Sequence, residues 1–147
     1  MFRSFAQKHY IGIGLFCVWL AFVVPLSIMT LSINHTRNEL YLNTVYERQL
    51  VQFGKRFDAD LLVITSAVQN NSIQYANTVA PDIQQLMRDI DAVSPPDDYA
   101  AFHTLFRSSV YSLNDTYQAL AQGDVYIAHK NLTLANQFMR SANALYP

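Results

Sequence analysis

Between Lys8 and Arg37 the chain contains no Asp, Glu, Lys or Arg. Over the whole chain those four types reach only 14 %, against roughly 25 % in an average soluble domain. From residue 34 onward there are eight basic and eleven acidic residues, a net charge of minus three, which argues against nucleic acid as a partner, since that demands a basic face. One cysteine, Cys17, rules out an internal disulfide. It follows Leu15 and Phe16 and sits in mid-run, so it reads as a small apolar filler and not as a lipidation site. Four glycines in 147 residues leave little material for a phosphate-cradling loop, and neither a P-loop nor a nucleophile elbow occurs.

What fills the charge-free stretch is apolar. Residues 10–33 (YIGIGLFCVWLAFVVPLSIMTLSI) form a run of two dozen positions. At about 1.5 Å per residue a helix of that length matches a hydrocarbon slab of roughly 30 Å. A secretory signal has an apolar core of about 7 to 15 residues, so this run is too long, and cleavage near Thr30 and Ser32 is the lesser alternative to a retained anchor. Arg3 and Lys8 place residues 1–9 in the cytoplasm and residues 34–147 outside it. Within the span, Gly12 and Gly14 leave room for a neighbouring helix, Ser27 and Thr30 offer hydroxyls to it, and Pro25 removes a backbone donor.

Beyond the span, apolar residues recur at helical spacing. Tyr46, Leu50, Phe53, Phe57, Leu61, Ile64 and Val68 mark one stripe, ended by Asn70, Asn71 and Ser72. Tyr75, Val79, Ile83, Leu86, Ile90 and Val93 mark a second. Pro81 interrupts it, so either this helix begins near residue 81 with its predecessor running on to about Asn77, or it is kinked there. Ser94 before Pro95, Pro96, Asp97 and Asp98 predicts an N-cap and first turn for a third helix, with Tyr99, Phe102, Phe106, Val110, Leu113, Tyr117 and Leu120 buried. Gly123 ends it and Asp124 caps a fourth, whose inner face carries Ala128, Ala135, Phe138, Ala142 and Leu145. The expected fold is all-α: one N-terminal transmembrane helix followed by an up-down-up-down four-helix bundle.

Chemistry is sparse along these helices. His35, His103 and His129 fall far apart in such a bundle and predict surface or interfacial histidines, not a metal site. Met87 and His103 are possible ligands for a noncovalent haem, but a methionine on an apolar stripe more often packs, and no cofactor is expected. Asp89, Asp91, Asp97 and Asp98 gather around one turn and read as solvated helix-start carboxylates, not as an acid–base pair. No catalytic residue is assigned.

The segments SPPDDYAAFHTLF, YSLNDTYQALAQGD and ANQFMRSANALY, at 94–106, 111–124 and 135–146, resemble the carboxyl-terminal hairpin of uncharacterised bacterial extracytoplasmic helical-bundle proteins with a single span. The layout is similar, more loosely, to the four-helix periplasmic sensory domains of bacterial chemoreceptors, although one span-length segment stands here where such receptors carry two. Composition and pattern lead to a noncatalytic, membrane-anchored accessory or scaffold subunit. Its expected partners are the lipid bilayer and another membrane or extracytoplasmic protein, or a second copy. The alternative is an extracytoplasmic small-molecule sensor. Tyr99, Tyr111, Tyr117 and Tyr126 are the candidate contacts for either.

Overall fold

A computed structural model of the chain describes the backbone of residues 3–146 and the side chains of residues 25 and 27–146. Most of the described residues are helical, and there is no strand among them. In chain order the elements are α1 (Arg3–Gln69), α2 (Ile73–Asn77), α3 (Ala80–Asp91), a 3-10 turn (Asp97–Tyr99), α4 (Ala100–Ala121) and α5 (Val125–Leu145). The chain divides into two compact units, Met1–Leu42 and Asn43–Pro147.

The first unit is helical from Arg3, with Pro25 inside the helix. Most side chains of the expected span, and with them Gly12 and Gly14, lie outside the described residues, while Ser27 and Thr30 are exposed. Among the described residues no helix is long and apolar enough to cross a membrane.

The second unit holds the core. On α1 the stripe of Tyr46, Leu50, Phe53, Phe57, Ile64 and Val68 is buried as its spacing predicts, and Phe57 meets Phe106 of α4 edge-on at 5.8 Å. Ile83, Leu86 and Ile90 of α3, Phe102, Phe106, Val110 and Leu113 of α4, and Ala128, Leu132, Ala135 and Ala142 of α5 complete one cluster. The small alanines let α5 lie close to α4, where buried Ser109 donates from its hydroxyl to the Ala135 carbonyl at 2.7 Å. That bond leaves no orphaned polar group in the contact.

Both expected helix ends have a common form. Asn71 takes a positive φ of 48° and Gly123 one of 77°. In each case the next residue's N–H reaches back to the carbonyl five positions earlier: Ser72 to Ala67, and Asp124 to Ala119, both at 2.9 Å. This is the left-handed closure that satisfies otherwise stranded carbonyls. Asp124 then caps α5, its carboxylate accepting from the Ile127 N–H at 2.9 Å.

Four expectations need correction. At Pro81 neither alternative holds in full, because α1 stops at Gln69 and a separate short helix precedes α3. The proline lies in the first turn of α3, since further inside a helix its ring would strike a carbonyl of the preceding turn. The break rotates α2, so Tyr75 is 60 % exposed and Ala76 takes the inner position. Ser94 does not cap α4, which begins only at Ala100 after the 3-10 turn. Consecutive prolines hold the residue before each of them out of the α region, leaving Ser94 too far upstream. Leu145, expected inside, is 52 % exposed at the last turn of α5.

Candidate functional site

Two seams of the second unit differ in chemistry. Along α3, charges are paired. The Arg56 guanidinium of α1 donates to Asp89 at 2.6 Å and to Asp82 at 3.2 Å, both on α3, and Gln85 donates to Asp89 at 2.7 Å. One helix further, Arg107 donates to Asp91 at 2.6 Å, Tyr111 donates to the other oxygen of Asp91 at 2.5 Å, and the guanidinium lies 4.7 Å from the Tyr111 ring centre. Hydrogen bonds from Arg56 and Gln85 hold Asp89 below the usual carboxylate range, and those from Arg107 and Tyr111 do the same for Asp91. Carboxylates expected to be solvated are therefore ion-paired across helices, and Asp97 and Asp98 sit in the 3-10 turn.

Asp60 stands in the core beside this network. It is 2 % exposed and its Oδ2 has no hydrogen-bond partner. Burial, reinforced by the negative charge of Asp82 and opposed by Arg56, pushes its carboxyl up to about 6. The sequence reading passed over it, although three residues from Phe57 and four from Ile64 is a position on the buried stripe.

His103 is the second polar group missed in the core. Expected at a surface or interface, it is 8 % exposed, with Nδ1 hydrogen-bonded to the Tyr46 hydroxyl at 2.7 Å. Burial lowers the imidazole pKa, helped by Arg107, and burial with the neighbouring Tyr99 raises that of the Tyr46 phenol, so both partners stay neutral at pH 7. Tyr99 packs edge-on against Tyr46 at 5.2 Å and donates to Glu47, a bond that pushes its phenol up to about 12. Tyr146 closes this aromatic cluster, 6.2 Å from Tyr99 and 5.4 Å from Phe102.

The other seam, between α1, α4 and α5, contains an open groove of about 220 Å³. Its walls follow helical register. Leu50, Gly54 and Asp58 recur every four residues on α1 beside Val51; Phe102 and Phe106 are one turn apart on α4; Met139 and Asn143 are one turn apart on α5, and Tyr146 follows just past its end. Phe102 and Phe106 stack at 5.9 Å and form an apolar floor. A Cβ built on Gly54 would meet nothing within 4 Å, so the missing side chain is part of the open volume.

Of the four tyrosines singled out from sequence, none lines this groove. Tyr99 is in the aromatic cluster, Tyr111 is bonded to Asp91, Tyr117 donates to Asn77 at 3.1 Å, and Tyr126 is 79 % exposed at the start of α5. The structure does not bring them together in one slot. His35 pairs with Glu39 at 3.1 Å on the exposed first unit, and among the described residues no group of three or more His, Cys, Asp or Glu is placed to hold a metal. Met87 packs partly buried against the core. No protein-family model, curated protein or solved structure matches this chain.

Proposed function

We propose that this protein is a noncatalytic helical bundle tethered to a membrane by residues 10–33, its up-down-up-down domain held on the extracytoplasmic side as an accessory or scaffold subunit. The observation that carries the reading is the exposure of large apolar side chains where α1 leaves the charge-free run. Ile28, Met29, Leu31 and Ile33 are 47 to 71 % exposed, and Leu40, Tyr41 and Leu42 are 57 to 69 % exposed. Covering such a residue is worth about 1.5–3 kcal/mol, so a stretch of this kind calls for lipid or a protein surface. The noncatalytic part is supported by the polar groups of the bundle. His103 is committed to Tyr46, and Asp89 and Asp91 are committed to arginines.

Detergent extraction followed by native mass measurement tests the reading. The expected result is a membrane-fraction protein that carries a second subunit, either another protein or a second copy. A lone monomer recovered from the aqueous fraction overturns it.

A second reading, small-molecule binding, is favoured by one observation, the open groove between α1, α4 and α5. The tether is compatible with it, since a bundle outside the membrane can sample solutes there.

A further inference from the structure

We infer that the groove between α1, α4 and α5 binds a small primary amine with one apolar ring or a short branched chain, the ammonium on Asp58 and the apolar body on Phe102 and Phe106. The proposal deepens the small-molecule reading and is independent of the membrane tether, because all the lining residues belong to the second unit.

Three features select this chemistry. The first is charge. Asp58 is the one charged residue among those lining the groove, and no Lys, Arg or His joins it. Its side chain makes no ion pair or hydrogen bond among the described residues, in contrast to Asp82, Asp89 and Asp91. A carboxylate at the mouth of an apolar recess favours a cation, and the lack of any basic residue in the lining disfavours carboxylates, phosphates and zwitterions.

The second feature is size. An apolar cavity of about 150 Å³ holds a benzene molecule, so a groove of about 220 Å³ takes one ring and a two-carbon arm. The third is the polar geometry of the mouth. Asn143 stands one helical turn from Met139 and its side chain is likewise without a hydrogen bond among the described residues. Its amide oxygen supplies an acceptor for a second ammonium proton, as a site with few polar groups and apolar walls requires.

The test uses the full chain in detergent with methionine methyl groups labelled for NMR. Met139 lines the groove, while Met87 lines a separate hollow beside Asp91 and Tyr111 and serves as the internal control. Phenethylamine is titrated beside two probes of similar shape, neutral ethylbenzene and anionic phenylpropionate. The expected result is a saturable shift of Met139, not of Met87, with the amine binding most tightly and the anion most weakly. Asp58→Asn is expected to weaken the amine by about tenfold while leaving ethylbenzene unchanged. Gly54→Leu fills the groove and is expected to abolish all binding at Met139.

A Met139 resonance indifferent to phenethylamine overturns the proposal. So does an amine affinity equal to that of ethylbenzene, or one unaltered in Asp58→Asn. The unperturbed Met87 signal reports that each variant is folded. Failure here leaves the membrane reading standing, since extraction behaviour is measured separately.

Discussion

The α3 seam and the α5 seam of one bundle were built from similar apolar stripes but finished differently. On the α3 side, Arg56 and Arg107 each reach a carboxylate on another helix, and all three aspartates of α3 are held by arginine: Asp82 and Asp89 by Arg56, Asp91 by Arg107. On the α5 side, Asp58 has no ion pair or hydrogen bond among the described residues and Gly54 leaves a gap. A seam locked by cross-helix pairs is a structural joint, whereas one with an open recess and a spare charge is available to something else.

Four substitutions sharpen that contrast, given from the largest expected effect to the smallest and read by denaturation of the full chain in detergent. Asp60→Asn is expected to stabilise at pH 7. Because the folded carboxyl sits at about 6 against an ordinary value of 3.8, ionising it in the core costs on the order of 2–3 kcal/mol. The folded state binds the extra proton between those two values, so the natural chain loses stability relative to Asp60→Asn as pH rises from about 4 to about 6, and the gap is constant above that. At pH 4 the two proteins should converge. A gap that does not change across this window would show that Oδ2 is satisfied in solution. His103, whose pKa is lowered, works in the opposite direction below its ordinary value of 6.5, but it is common to both proteins and cancels in the difference.

Arg56→Ala removes both pairs to α3 and leaves Asp60 without its nearby positive charge. With a side chain 29 % exposed, the expected loss is about 2 kcal/mol, below that of a fully buried pair. A loss much smaller than this would mean that the α3 seam is held by packing alone. Gly54→Ala, on the open seam, is expected to stabilise by about 0.5–1 kcal/mol, since the new methyl meets no atom within 4 Å and alanine favours a helix interior over glycine. Asp58→Asn is expected to change stability by less than about 0.5 kcal/mol. That neutrality marks the carboxylate as spare to the fold, and a larger loss would identify a structural partner for it.

Much of the fold was legible because its signals are local. The stripe on α1, the turn at Asn70 to Ser72, the closure at Gly123 and the Asp124 cap each depend on a few neighbouring residues, and each appears where the spacing puts it. The Pro81 region was less legible, since a proline forbids one arrangement without choosing among those that remain. Asp60 and His103 were hidden by their type: position on the stripe pointed inward while polarity pointed outward. In both cases position prevailed. The groove left a fainter trace, a lone glycine on the inner side of α1, because a gap is defined by the distance between helices and not by any one residue.

Sequence alone determined that this chain is helical, where most of its helices turn, and that one stretch of it carries no charge, because backbone capping and apolar periodicity act within a few residues. The tertiary structure alone decided which polar groups are paired and which are stranded, because pairing depends on what a second helix places opposite. Asp58, Asp60 and Asp89 are the same residue type within two helices. One is spare at a groove, one is buried without a full complement of bonds and one is clasped by arginine, and only the packing of α1 against its neighbours distinguishes them.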